Sequence, residues 1–210
     1  MLRKNNSDTS YRENSKKLRE DILSADISLD NRQIGQLKEF TSLLKKWNQI
    51  HNLTGAKSTT DIYANILDSL YPYTFIKKPN SLLDVGTGAG FPGLILAIGY
   101  PESHTILCEP RNKRASFLKF VAMELKLDSV EVIKKRVEDY HASEPFELIT
   151  SRAVTNTKML LSITEHLRDD DTRLLFYKGE QIFSELELVD SPIYYDIIEK
   201  NKRNYLYIKG

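Results

Sequence analysis

Apolar residues recur at two different periods along the chain, and the change between them divides it. Up to about residue 80 the period is helical. Ile34, Leu37, Leu44 and Trp47 fall on one helix face behind Asp30, a ready cap, which predicts a helix from about Asp30 to His51. A second helix is predicted over Asp61 to Leu70. From Ser81 onward short apolar runs alternate with amphipathic stretches. Strands are predicted at Ser81 to Val85, Thr105 to Cys108, Val130 to Lys134, Glu147 to Thr150 and Arg173 to Tyr177. Helices fit between them, one opening at Pro92, where the missing N–H does no harm, and others over Lys113 to Lys126 and Asn156 to Leu167. Alternating aromatics at Ile193 to Ile198 and Tyr205 to Lys209 read as two closing antiparallel strands, seven in all. Such alternation predicts an α/β fold: a mostly parallel, doubly wound sheet with helices on both faces and its ligand outside the carboxyl ends of the strands. Residues 1–80 are expected to form an N-terminal helical extension and residues 81–210 the ligand-binding domain.

Composition narrows the setting. A chain of 210 residues with 40% hydrophobic and 28% charged residues suits one well-buried folding unit. No apolar run approaches the roughly 20 residues of a membrane span. The polar start, Met1 to Asn6, lacks the apolar middle of a secretory signal, so a cytoplasmic protein is expected. A single cysteine, Cys108, excludes an internal disulfide and a multi-cysteine zinc site, and no metal is expected. The net charge of +1 does not by itself point to a nucleic-acid partner. Basic residues nevertheless gather at Arg3 to Arg19, at Lys134-Lys135-Arg136 and at Lys200-Asn201-Lys202-Arg203.

The segment Leu82 to Gly93 carries the chemistry, because a strand there enters a glycine-rich turn and then a helix, letting backbone approach a ligand closely. Gly88, Gly90 and Gly93 satisfy the G-x-G-x-x-G spacing of dinucleotide sites, so the spacing alone admits a nicotinamide or flavin cofactor. Asp84 weighs against it. A carboxylate two residues before the first glycine, Gly86, would lie beside a pyrophosphate and repel it, whereas S-adenosylmethionine presents an ammonium and a sulfonium and no phosphate. No lysine followed by Ser or Thr comes after the glycines, which disfavours a nucleoside-triphosphate loop. Glu109 ends the second strand, where this fold places an acid for ribose hydroxyls, the alternative being an acid that faces the amino end of the following helix. Arg136-Val137-Glu138 follows the third strand, where its backbone would meet an adenine edge, and Ser151-Arg152-Ala153 follows the fourth, where the arginine faces either the crevice or a surface ion pair.

Missing features bear on the reaction. The Asn/Asp-Pro-Pro-aromatic motif of amino-methylating enzymes would follow the fourth strand, where this chain has Ser151-Arg152-Ala153-Val154. Carbon-5 methylation of pyrimidines needs a cysteine nucleophile, and Cys108 lies inside a strand as a core residue. Guanine N7 carries an in-plane lone pair and no proton. Its methylation needs orientation but no general base.

Together these residues resemble the ribosomal small-subunit methyltransferase G family, also called glucose-inhibited division protein B. The likeness runs through Leu43 to Asn48, Asn52-Leu53-Thr54, Leu67-Asp68-Ser69-Leu70, Asp84 to Gly93, Glu109-Pro110, Lys113-Arg114, Phe117-Leu118, Arg136-Val137-Glu138, Ser151-Arg152-Ala153 and Lys178-Gly179. It implies a Rossmann-like class I S-adenosylmethionine-dependent methyltransferase acting on N7 of a guanine in the 530 loop of 16S rRNA. Its partner would be that rRNA or the assembling small subunit, and it would act as a monomer. By the same resemblance Gly86, Gly88, Gly90, Phe91, Val137, Glu138 and Arg152 contact the cofactor, with Asp84 and Glu109 in support. Arg136, Lys178 and Arg203 lie near the target nucleotide, Arg152 and Lys178 being the candidates for a catalytic part. Two departures stand out: Ala64-Asn65 replaces an Arg-His pair, which displaces a basic contact, and Asp169-Asp170-Asp171 replaces a Pro-Gly-Gly turn.

Overall fold

The computed structural model describes residues 16–190 and 192–209. The basic stretch Arg3 to Arg19 therefore lies largely outside the described residues. A helix over residues 16–24 (α1) leads to α2 (Asn31–His51) and α3 (Thr59–Leu70). Both longer helices begin with a capping box. Asp30 accepts from the Gln33 amide while the Gln33 side chain accepts from the Asp30 amide, and Ser58 and Asp61 do the same for α3. The Ser58 cap explains why α3 starts two residues before Asp61. Asn48 and Asn52 of the resemblance turn the chain between these helices: Asn52 ends α2 in the left-handed region, and the Asn48 amide bonds Thr54 N–H and Ala56 C=O.

The sheet runs β1 (Ser81–Val85), β2 (His104–Cys108), β3 (Val130–Ile133), β4 (Leu148–Arg152), β5 (Arg173–Lys178), β6 (Tyr195–Lys200) and β7 (Arg203–Ile208). Its seven strands lie in the order β3-β2-β1-β4-β5-β7-β6. The first five are parallel, and β7 inserts antiparallel between β5 and β6. Strand order reverses between β1 and β4, so the crevice for a ligand opens above their carboxyl ends. The intervening helices are α4 (Gly93–Gly99), α5 (Asn112–Glu124), α6 (Thr157–Ile163) and α7 (Ile182–Leu186). The helix expected over Asn156 to Leu167 breaks at Thr164 into a 3-10 turn, and the short α7 has no counterpart in the apolar pattern.

Alternation along the strands divides the core. Leu83, Val85, Ile149, Leu174 and Phe176 face α6 and α7, whereas Leu107 joins α2 to α5 on the other face. Leu18, Ile22, Phe40 and Ile66 of the N-terminal helices share one cluster with Leu94, Ile95 and Phe117 of α4 and α5. Residues on both sides of position 80 thus bury each other. Burying each such side chain contributes roughly 1.5–3 kcal/mol, and the site inherits that rigidity. Among the described residues no helix is long and apolar enough to cross a membrane.

Candidate active site

The glycine turn is shaped by what lies beneath it. Asp84 is fully buried, its Oδ2 accepting from the Gly93 N–H at 2.7 Å and its Oδ1 from the Thr150 hydroxyl at 2.9 Å. Thr150 is also its register partner on β4. Helix α4 begins directly over this carboxylate. A Cβ on residue 93 would fall 2.4 Å from Asp84 Cβ and 2.7 Å from Leu107 Cδ2, so only glycine lets helix and strand approach so closely. The structure corrects one expectation here: the Asp84 side chain points into the interior, because strand register turns it toward α4. Burial pushes its carboxyl up to about 6, against the pull of Thr87, the Gly93 amide, Thr150 and the Arg152 charge. Any influence on a ligand must pass through the turn above.

That turn places Gly86, Gly88 and Gly90 at φ of 66°, 62° and 102°. A Cβ on Gly86 would lie 2.5 Å from Val154 Cγ2, which leaves a slot of bare backbone between the end of β1 and the β4–α6 loop. Glu109 is 2% exposed and braces the same turn, accepting from Gly88 N–H at 2.9 Å and from Arg111 N–H, at the start of α5, at 2.8 Å. The Thr87 hydroxyl is nearly sealed; it lies close enough to Asp84 to favour the charged form but meets no partner with hydrogen-bond geometry. Phe91 is buried, edge-on to Phe40 at 5.4 Å, with the Arg152 guanidinium 5.0 Å above its ring.

Beside Gly86 opens a cavity of about 330 Å³. Pro110, Val137, Val154, Met159 and Ile163 give it apolar walls, while Arg136 and Glu138 supply its polar edge. Mostly apolar walls with a few polar groups suit a purine nucleoside. Cys108 lines the cavity floor, and burial pushes its thiol up to about 12 with its S–H donated to Lys135 C=O, so it remains protonated there.

Arg152 leaves β4 toward α3, donating to Asp68 Oδ2 and to Asn65 Oδ1, each at 3.0 Å. Asp68 Oδ1 accepts from Arg203 Nε and from the Tyr205 hydroxyl, also at 3.0 Å. One carboxylate therefore ties the N-terminal helices to β4 and β7. Asn65, half of the Arg-His departure, serves as an anchor for Arg152. Lys178 lies elsewhere: its side chain is 7% exposed, and its ammonium donates to Thr155 C=O at 2.9 Å and Glu185 at 2.7 Å. Glu185 also accepts from the Thr157 amide and hydroxyl, both at 2.8 Å. The residues expected from sequence thus fall into three groups. Asp84, Gly86, Gly88, Gly90, Phe91 and Glu109 build the turn; Arg136, Val137 and Glu138 edge the cavity; Arg152 and Arg203 meet at Asp68, and Lys178 stands apart behind the β4–α6 loop. Sequence had no signal for Glu185, Val154 or Thr155, and Asp68 was visible only as part of a motif. The acidic run Asp169 to Asp171 sits at the amino end of β5, where Asp169 caps its own turn through Asp171 N–H and Thr172, at the sheet end opposite the cavity.

The profile of the rRNA small subunit methyltransferase G family matches residues 33–206. A ribosomal RNA small subunit methyltransferase G from Aliarcobacter butzleri is 53% identical over 171 residues, 81% of this chain and 87% of its own. One from Wolinella succinogenes is 43% identical over 193 residues, 92% and 98% of the two chains. Among solved structures, a methyltransferase from Geobacter sulfurreducens superposes with a TM-score of 0.63 at 12% identity, covering 81% of this chain and 90% of that one. A mutant of MtNAS in complex with S-adenosylmethionine gives 0.56 at 14%, covering 85% and 71%. These two likenesses speak to the fold.

Proposed function

The chain belongs to the rRNA small subunit methyltransferase G family, and from that premise we propose that it transfers a methyl group from S-adenosylmethionine to N7 of one guanine in the 530 loop of 16S rRNA. The observation that supports this most is the Gly86 slot: bare backbone under Val154, an acid at Glu109 and a cavity with apolar walls side by side. The residues present fit the donor. Gly86 and Gly88 would face its amino-acid part, Glu109 its ribose, and Val137, Glu138 and Met159 its adenine. Bound there, it supplies an electrophilic methyl on a cationic sulfur.

The chain's own residues bind, orient and exclude water. Asp84 sets α4 and hence the turn. Glu109 already spends both oxygens on Gly88 and Arg111, so it is held in place before a ligand arrives and loses little freedom on binding. Arg152, fixed by Asp68 and Asn65 over Phe91, borders the opening between β1 and β4 where the base would enter. Arg136 and Arg203 would meet RNA, and Lys178, donating to Thr155 C=O and Glu185, would hold the loop rather than the nucleotide. Held by the Gly86 slot and the cavity beside it, the donor would supply a methyl that an in-plane lone pair such as that of guanine N7 can accept. No proton moves, so the reaction asks for alignment and not for a base. Alignment can contribute roughly 7–11 kcal/mol.

Titration with S-adenosylhomocysteine and, separately, NADH tests the cofactor half. Binding of the first alone is expected, and binding of NADH alone would overturn the assignment. Incubation of the purified protein with small subunits from cells lacking it and S-adenosylmethionine labelled in its methyl group tests the other half. One label per 16S rRNA is expected, and label on ribosomal protein or none at all would contradict it.

A further inference from the structure

On the other side of the Arg152–Asp68 pair lies a larger cavity of about 550 Å³, which shares no lining residue with the one beside Gly86. Three separate parts of the chain wall it. Asp21 comes from α1, Ala64, Leu67 and Asp68 from α3, and Lys200, Lys202 and Arg203 from the β6–β7 turn. The turn lies at the carboxyl end of the parallel strands, because Asn204 pairs with Lys178 at the end of β5. Both cavities therefore open at the same end of the sheet.

The lining has the chemistry of a nucleotide site. Lys202 is exposed and has no ion-pair partner among the described residues. The Lys200 ammonium stands 4.1 Å from the centroid of Tyr71, and Arg203 shares the Asp68 carboxylate with Arg152. Asp68 is thus already matched by two cations. The turn therefore presents positive charge that a phosphate would complete. Tyr71 and Leu67 give an apolar surface for a base, and the methyl of Ala64, at one of the positions where a larger basic residue was expected, leaves that surface open. Asp21, on the opposite wall, can accept from a base's amino group.

We propose that this cavity takes a nucleotide of the RNA chain flanking the methylated guanine, its phosphate on Lys200, Lys202 and Arg203 and its base over Leu67 and Tyr71. The proposal rests on the RNA substrate assigned above. It makes the β6–β7 turn and α1 a second handhold, separated from the reacting base by the Arg152–Asp68 pair.

Fluorescence anisotropy of a labelled oligoribonucleotide spanning the target loop, with the full chain saturated in S-adenosylhomocysteine, reads this contact directly. Two variants approach it from different sides. Lys200→Glu with Lys202→Glu reverses the charge, and Ala64→Trp fills the cavity from an exposed position without changing charge. Each is expected to weaken RNA binding by about tenfold or more and leave S-adenosylhomocysteine affinity unchanged, and the charge variant to flatten the salt dependence. Wild-type RNA affinity in both variants, or no RNA binding by the wild-type chain, would overturn the proposal. A chain that methylates 16S rRNA while both variants bind as wild type loses only this cavity. A chain whose RNA binding follows the variants but which labels no guanine keeps the cavity and loses the proposed reaction.

Discussion

Arg152 and Asp68 stand 84 residues apart in the chain and meet at 3.0 Å, where strand β4 ends against helix α3. Their side chains are 14% and 18% exposed, so the pair is largely withdrawn from water and neither charge is well served alone. Asp68→Ala strands Arg152 and frees Arg203 and Tyr205 together. A loss of about 2 kcal/mol in urea unfolding is expected, below the full cost of breaking a buried pair because water reaches one edge. Single-turnover transfer should slow by at least tenfold while S-adenosylhomocysteine binds nearly as before. Unchanged stability would mean that water replaces the carboxylate.

Lys178 tests the loop. A side chain touching RNA would, when removed, weaken RNA binding alone. The geometry predicts a different outcome, since Lys178 holds Thr155 C=O and Glu185, and Val154 and Thr155 form a wall of the cavity beside Gly86. Lys178→Met should weaken S-adenosylhomocysteine binding about tenfold, an effect of the size of one charged hydrogen bond. Burial alone would raise the Glu185 carboxyl, but the Lys178 ammonium and Thr157 hold it below the usual carboxylate range. In the variant that carboxyl should titrate upward by NMR. Full cofactor affinity in Lys178→Met would return the residue to the RNA.

Gly86 separates strain from clash. Alanine there must adopt φ near 66° and place its Cβ 2.5 Å from Val154 Cγ2. The left-handed conformation alone costs roughly 1–2 kcal/mol. Gly86→Ala should therefore abolish measurable S-adenosylhomocysteine binding, and adding Val154→Ala should recover part of it. A double variant no better than the single one would show that Val154 is not what the new methyl meets.

The Asp84 carboxyl, pushed up to about 6, gives a pH signature. A buried acid whose proton affinity is higher folded than unfolded favours folding below its ordinary value of 3.8 and loses that contribution as pH rises through about 6. Wild-type stability should thus fall relative to Asp84→Asn between pH 4 and pH 7. Cofactor binding should move the other way. The ionised carboxylate, with Arg152 as its cationic neighbour and Cys108 and Tyr177 uncharged beside it, attracts a sulfonium more than a neutral thioether. Affinity for S-adenosylmethionine relative to S-adenosylhomocysteine should drop below about pH 6. A ratio flat from pH 5 to 8 would remove Asp84 from cofactor selection.

Much of the fold was legible because strands and helices here obey their periods: Ser81–Val85 is where the apolar run places it, and Asp30 caps α2 as its position suggests. The turn was legible because Gly86, Gly88 and Gly90 stand at positive φ, which few other residues tolerate. What escaped were long-range partnerships. Nothing near Lys178 in sequence announces that α7, five residues long with little apolar pattern, brings Glu185 to bury its charge. Asp84 shows the same limit. Its identity suggested a charge facing a ligand, but strand register, which a single run of residues does not reveal, turned it toward Gly93.

A single guanine of 16S rRNA is expected to receive its methyl at N7. Methylation at N7 leaves a guanosine open to borohydride reduction and aniline scission of the chain. Small-subunit rRNA from cells with the protein should be cut at a single guanine in the 530 loop, and rRNA from cells lacking it should remain whole there until treated with purified protein and S-adenosylmethionine. Scission at that guanine in cells without the protein would assign its methylation to another enzyme.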